Sequence, residues 1–339
     1  MNIEKFLNLI DSQPAQLREN YADGLIDDIT ADMGQGLNGV VFAGMGGSAL
    51  AGNMLKNWLY ERLLVPLEVS RGYQLPGHIG KNTLVVCSSY SGNTEETLSA
   101  YWYAQKMNCR IAVITSGGKL LKEAQRQQRI ALELPKGLPP RLAVLAGLKA
   151  LACLLADLGL VEAVDVRREL LDASNFLDIQ KAALNADALE NNRARDLAKQ
   201  LQTKMPLIYG GPGLGAAAYY WKISINENAK QMAFYNTFPE LDHNEFQGWQ
   251  FPHEKNIQPL VLRSSFDGEK MYHRMQLTEQ LLARFDYKPI NVGAVGKTPL
   301  EQLLYTLMLG DYVSAYLAEL NGVDPLEVSL IEQLKSKLA

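Results

Sequence analysis

Short runs of aliphatic and β-branched residues alternate along this chain with helix-length stretches of mixed polarity. Residues 39–43, 65–70, 83–88, 111–115 and 130–134 read as five strands, and the spacers between them are mostly long enough for crossovers. That alternation predicts a parallel sheet with helices on both faces. After a helical stretch from 143 to about 195 the pattern returns more weakly, at 207–210, 232–235, 260–263 and 290–293. Each set opens with a strand, a glycine-rich turn and a helix. The first turn is GMGGSALAG (Gly44 to Gly52) and the second GGPGLGAAA (Gly210 to Ala218), which reads as a divergent duplication. The expected domains are residues 1–155 and 156–339. Residues 299–320 and the closing IEQLKSKLA are strongly helical.

Composition narrows the picture. The 339 residues are 47% hydrophobic and 21% charged, with a net charge of −4, which fits a soluble globular chain with a full core. No long basic run offers a face to nucleic acid or an anionic membrane. MNIEKFLNLIDSQPAQ reads as an amphipathic helix rather than a secretion signal. The apolar stretch 142–161 is interrupted by Lys149 and Asp157, so a buried helix is expected there rather than a membrane span. Cys87, Cys109 and Cys153 lack CxxC spacing and read as reduced core residues, which points to the cytoplasm. The four histidines have no metal-ligand spacing. His78, His253 and His273 are expected to be structural, and so is the aromatic run Tyr219-Tyr220-Trp221.

Chemistry gathers first at Gly44-Met45-Gly46-Gly47-Ser48, where a strand gives way to a helix. Glycines there let the backbone approach a ligand, and the helix N-terminus offers amide donors to an anion. Gly44-x-Gly46-x-x-Ala49 also fits a dinucleotide fingerprint, with Glu68 as the ribose-binding acid, so a nicotinamide dehydrogenase competes. The third strand runs into Ser88-Ser89-Tyr90-Ser91-Gly92-Asn93-Thr94. Its hydroxyls can surround a phosphate with neutral donors, and a dinucleotide fold has no need of them.

GMGGSALAG, SSYSGNTEET, LPPRLAVLAGL, INENAK, ELDHNEFQGW and DYVSAYLAELNGVDPLEVSLIEQLK resemble the sugar isomerase (SIS) phosphosugar-binding domains. More narrowly, they resemble the bifunctional phosphoglucose/phosphomannose isomerases, in the family's order and over almost the whole chain. The resemblance implies an α/β fold of two SIS domains, each a doubly wound parallel five-stranded sheet flanked by helices. It places the sugar phosphate on Gly46, Gly47, Ser48, Ser89, Ser91 and Thr94 in the first domain. It assigns catalysis to Arg141, Glu227, His243 and Lys335, with the last three in the second domain.

The implied reaction interconverts glucose 6-phosphate or mannose 6-phosphate with fructose 6-phosphate through a cis-enediolate. Neither a cofactor nor a metal is expected to take part. Glu227 would move the proton between C2 and C1, His243 and Lys335 would open the sugar ring, and Arg141 would stabilise the enediolate. Asp242, where the family pattern leads one to expect Asn, would put a carboxylate beside His243. The family also implies a homodimer, with His243 lent to the partner's site. A non-catalytic phosphosugar sensor or an amidotransferase-type synthase would need segments that the sequence does not show: a DNA-binding or partner domain, or an N-terminal nucleophilic cysteine.

Overall fold

The computed structural model describes residues 2–21, 29–161, 166–251 and 256–338. The chain divides into two compact units, Gln13–Ser174, and Met1–Ser12 together with Asn175–Ala339. This division runs through the helix Val166–Gln180, whereas the pattern of elements along the sequence led to an expected boundary after residue 155. Side chains account for the first unit's reach: Glu169 accepts from the Trp58 indole at 2.9 Å and from Arg62 at 2.8 and 3.1 Å. The N-terminal helix Ile3–Ser12 belongs to the second unit, with Phe6, Leu7 and Ile10 buried on one face. Asp11 at its end accepts from the Tyr312 hydroxyl.

The first unit holds five parallel strands: β1 (Gly39–Gly44), β2 (Leu67–Ser70), β3 (Thr83–Ser88), β4 (Arg110–Thr115) and β5 (Ile130–Glu133). Their order is β2-β1-β3-β4-β5. Every residue of β3 is buried, as expected of a central strand covered on both faces. Strand β2 starts two residues later than its hydrophobic run, because Pro66 has no amide to give; its carbonyl still accepts from Val40 at 2.9 Å. One face packs Val41, Val85, Cys87, Ile111 and Val113 against Tyr101, Ala104 and Leu120. On the helix Gly46–Leu59, Gly52 leaves room for the Phe42 ring, which a Cβ there would meet at 2.5 Å. All three cysteines are free, and burial pushes the Cys87 thiol far up.

The expected apolar helix is Val144–Asp157 and is largely buried. Lys149 lies in it without loss because its ammonium donates to the Leu17 carbonyl at 2.8 Å. No helix among the described residues is long and apolar enough to cross a membrane.

The second unit holds β6 (Met205–Gly210), β7 (Phe234–Thr237), β8 (Ile257–Arg263) and β9 (Ile290–Gly293), all parallel, in the order β7-β6-β8-β9. This repeats the β2-β1-β3-β4 part of the first sheet, as a duplication should. The expectation of five strands in each sheet is corrected here, since this sheet has four among the described residues. Where a fifth could begin, Thr298 and Glu301 form a reciprocal capping box with Pro299 in the first turn, and the chain enters the long helix Pro299–Asn321. Strand β7 lies two residues beyond its predicted place. Lys230, at φ +52°, ends the preceding helix, and the Gln231 side chain is held by the carbonyls of Leu201 and Lys204.

Tyr220 and Trp221 are core residues of the helix Gly215–Asn228; Gly310 makes space for the Trp221 ring, whose N–H donates to Thr306 at 2.7 Å.

Candidate active site

In the first unit, Gly44 at the end of β1 pairs with Ser88 at the end of β3. The two predicted turns therefore leave one sheet edge side by side, at the point where the strand order reverses; ligands bind at such points in open α/β sheets. Ser48 and the 89–94 loop are joined directly, Tyr90 N donating to Ser48 Oγ at 3.1 Å. Ser89, 1% exposed, places its hydroxyl 2.8 Å from that of Thr94 and accepts from Gly92 N at 3.1 Å. Thr94 stands at the N-cap of the helix Glu95–Lys106, yet its hydroxyl does not cap that helix. Ser91 is exposed and accepts from Asn93 N at 3.3 Å. No side chain caps the helix Gly46–Leu59 either. Hydroxyls and an uncapped helix end thus share one edge, the donor set an oxyanion needs.

Arg141 joins this group. It lies in a short 3-10 turn (Pro140–Leu142) and is only 4% exposed. A Cβ on Gly47 would come within 3.0 Å of the Pro140 carbonyl and 3.2 Å of the Arg141 Cα, so the arginine's backbone rests on the glycine turn itself. Gln16 fixes the far side of that turn, donating to Leu142 O at 2.7 Å and accepting from Ala146 N at 3.0 Å.

Two supports went unassigned in the sequence. The Tyr90 hydroxyl donates to the Pro135 carbonyl at 2.7 Å and accepts from Leu138 N at 2.8 Å, bracing the segment that leads to Arg141. The Tyr90 carbonyl accepts from Ser116 N and Oγ. Gly117 and Gly118 form the second support. A Cβ on Gly92, at φ +65°, would lie 1.7 Å from the Gly117 carbonyl, so only glycine fits where the two loops nest. Sequence carried a signal for this pair: a double glycine one residue after β4, at the same sheet edge.

The dinucleotide reading loses its acid. Glu68 is exposed, pairs with Val41 well before the end of the first strand, and has His78 at 4.0 Å. A ribose-binding acid would stand at the strand's C-terminal end.

In the second unit the three predicted catalytic residues stand on separate elements. Glu227 is half-buried in the last turn of the helix Gly215–Asn228. That helix is locked to Pro299–Asn321 by a buried polar seam. Tyr220 and Ser224 donate to Asp311 at 2.7 and 3.2 Å, and Asn228 donates to Ser314 at 2.9 Å. His243 is exposed at the end of the 3-10 turn Glu240–His243, and Lys335 is exposed on the helix Ser329–Leu338.

The Asp242 carboxylate, expected beside His243, is engaged elsewhere. Asp242 accepts from Arg274 at 3.2 Å and from Thr278 at 3.0 Å, a pair of partners spaced along the helix Gly268–Leu282. The loop is held instead by Glu245, which accepts from the Tyr209 hydroxyl and from Asn236 at 2.7 Å. Lys230, overlooked in the sequence, donates to the carbonyls of Glu227 (2.8 Å) and Asp324, so it ties the end of the Glu227 helix to the segment preceding the Lys335 helix. His78 and His273 are exposed, and His253 lies outside the described residues. A cleft of about 380 Å³ lined by Leu207, Phe234, Tyr235, Glu245 and Trp249 among others holds none of the predicted site residues.

Known proteins match this chain along most of its length. Residues 190–338 match the family model of the bacterial phospho-glucose isomerase C-terminal SIS domain. A bifunctional phosphoglucose/phosphomannose isomerase of Caldicellulosiruptor bescii is 36% identical over 331 residues, 96% of each chain. One from Aquifex aeolicus is 36% identical over 317 residues, covering 92% of this chain and 93% of its own. Among solved structures, the C-terminal domain of glucosamine-fructose-6-phosphate aminotransferase from Francisella tularensis shares the fold. It has a TM-score of 0.76 and 17% identity, and the match covers 94% of this chain and 97% of that one. The chain therefore belongs to the bifunctional phosphoglucose/phosphomannose isomerase family of SIS-domain sugar-phosphate isomerases.

Proposed function

We propose that this enzyme interconverts both glucose 6-phosphate and mannose 6-phosphate with fructose 6-phosphate in the cytoplasm, through a cis-enediolate and without a metal. The observation that carries the reading is the shared edge in the first unit, where Ser48, Ser89 and Thr94 converge and Arg141 rests on Gly47. Phosphate sits on Gly46, Gly47, Ser48, Ser89, Ser91 and Thr94. The helix N-terminus and neutral hydroxyls hold it without a cluster of cations, in keeping with a chain of net charge −4.

Glu227 takes the proton from C2 and returns it to C1. The two aldoses share one enediolate but carry the C2 hydrogen on opposite faces, so Glu227 serves both by meeting either face of C2 as the enediolate turns in the site. Lys335 and His243 exchange protons with the ring oxygen and the anomeric hydroxyl. Arg141, buried with its backbone against the glycine turn, stabilises the charge that develops on the enediolate oxygens.

In this reading the enzyme is a homodimer in which each subunit lends His243 to its partner. Support comes from the exposure of His243 and of Phe234 (46%), Tyr235 (41%) and Phe251 (86%) in the same unit. Coupled assays of one preparation should turn over both aldose phosphates and survive exhaustive chelation. Turnover of neither aldose, or activity lost to a chelator and restored by zinc, would reject it. Mixing Glu227→Gln with His243→Ala subunits, each inactive alone, should restore about a quarter of wild-type activity if histidines cross over, since half of randomly paired dimers are mixed and each then has one intact site. No recovery after demonstrated exchange would place His243 in its own chain's site.

A further inference from the structure

The second unit keeps the frame of the first cradle and fills it with its own side chains. Its glycine turn follows β6 as GMGGS follows β1, and the helix behind it likewise has no side-chain cap at Leu214. The sequence after β8 is Ser264-Ser265-Phe266-Asp267-Gly268, in the same order of types as Ser88-Ser89-Tyr90-Ser91-Gly92, with a carboxylate in place of a hydroxyl. Gly268 and Gly92 both have positive φ, +75° and +65°. Ser264, which lines up with Ser88 in this order, is buried at the first position after β8. Its hydroxyl accepts a backbone amide (Phe266 N, 3.1 Å), as Ser89 accepts Gly92 N at 3.1 Å.

The interiors of the two frames differ. Asp267 stands at the N-cap of Gly268–Leu282 but does not cap that helix. Its Oδ2 accepts from Ser264 N at 3.0 Å, and its Oδ1 is buried over the glycine turn with no hydrogen-bond partner among the described residues. A Cβ on Gly211 would lie 2.6 Å from that oxygen, and one on Gly213 would lie 3.6 Å from it. Burial raises the Asp267 carboxyl, and the Ser264 amide that it accepts from pulls it back. The serines are engaged as well. Gln302, 3% exposed, accepts from Ser264 Oγ at 2.8 Å and Ser265 N at 3.1 Å, and it donates to Ser265 Oγ at 2.7 Å.

We infer that the second unit is a closed copy of the phosphate cradle, in which the Asp267 carboxylate occupies the place of the anion and Gln302 holds the serines. The chain therefore takes one phosphate, not two, and a single side chain keeps the second place shut. Clearance supports this: an oxyanion over Gly211 would overlap Oδ1, and two anions there would repel. The inference rests on reading the first turn as a phosphate cradle.

Titration of the full chain with inorganic phosphate, counted by calorimetry, tests it. Wild type should bind one phosphate per chain, Ser89→Ala/Thr94→Ala none, and Asp267→Ser two. Asp267→Ser combined with the double substitution should bind one. Asp267→Gly carries the same expectation as Asp267→Ser and guards against a defect peculiar to serine. Both Asp267 variants should keep wild-type isomerase activity and circular dichroism, since Asp267 touches no proposed catalytic group. If both fold and neither gains a phosphate, the inference is overturned. If wild-type binding survives Ser89→Ala/Thr94→Ala while Asp267→Ser still gains a site, the first-cradle reading fails and the closed copy stands.

Discussion

Tyr90→Phe separates the phosphate loop from the segment that carries Arg141. The substitution removes one oxygen, which donates to Pro135 O at 2.7 Å and accepts from Leu138 N at 2.8 Å. Each hydrogen bond contributes about 0.5–1.5 kcal/mol net, so the pair is worth ~1–3 kcal/mol. For a domain of this size that is a melting shift of about 2–4 °C per kcal/mol. Tyr90's backbone bonds to Ser48 and Ser116 do not involve the hydroxyl and stay in place, so the phosphate hydroxyls keep their positions. The freed segment is the one that runs through Leu138 into Pro139, Pro140 and Arg141. Displacing a charge-stabilising group by about 1 Å can cost on the order of 10²-fold in rate. Steady-state kinetics with fructose 6-phosphate should therefore show kcat lower by ~10–100-fold and KM within ~3-fold of wild type. A lower melting temperature with unchanged kcat would make Tyr90 a stability residue only. A raised KM with unchanged kcat would mean that the phosphate loop itself had moved.

Ser89→Ala or Thr94→Ala should raise KM by the equivalent of about 1–2 kcal/mol with kcat little changed, measured under initial-rate conditions. Lys230→Met should lower kcat/KM about tenfold, ~1.4 kcal/mol, by releasing the link between Glu227 and Asp324, while phosphate binding holds; Lys230→Arg should recover part of it, and no loss in Lys230→Met would remove Lys230 from the account. Asp267→Asn should change stability in a pH-dependent way. Burial raises the Asp267 carboxyl from 3.8, so its contribution is largest below 3.8 and is lost as pH rises through the raised value. Urea unfolding from about pH 4 to about pH 7 should show the Asn variant gaining on wild type, and parallel curves would contradict this.

The sequence carried the strands, both glycine turns and the SSYSGNT loop because they are local: each is a short run whose types dictate backbone and donor chemistry. It also marked Arg141 through its prolines. What it could not carry was distance. Gln16 and Lys149 look like ordinary polar residues until their partners, Leu142 and Leu17, arrive from far along the chain. The role of Tyr90 is not legible locally because its hydroxyl partners, Pro135 and Leu138, lie beyond β5. The fifth strand expected of the second sheet came from the resemblance, whereas the hydrophobic runs marked the four strands present among the described residues, and Thr298-Pro299-x-Glu301 announces a helix start. Asp242 was judged by its neighbour in sequence, whereas Arg274 and Thr278 present a better-paired site across a turn. The Asp267 plug was hidden because a serine-to-carboxylate exchange reads as loss of the motif rather than its closure.

The central claim, proton transfer through an enediolate common to both aldoses, is tested most directly by giving the enzyme fructose 6-phosphate in heavy water and following products by NMR. Both glucose 6-phosphate and mannose 6-phosphate should appear, with deuterium at C2 and, after repeated turnover, at C1 of the ketose. Glu227→Gln should lose at least ~10²-fold of this exchange together with turnover. Aldose phosphates formed with only protium at both carbons after many turnovers would mean that the hydrogen moves without a proton-exchanging base, and would contradict the account.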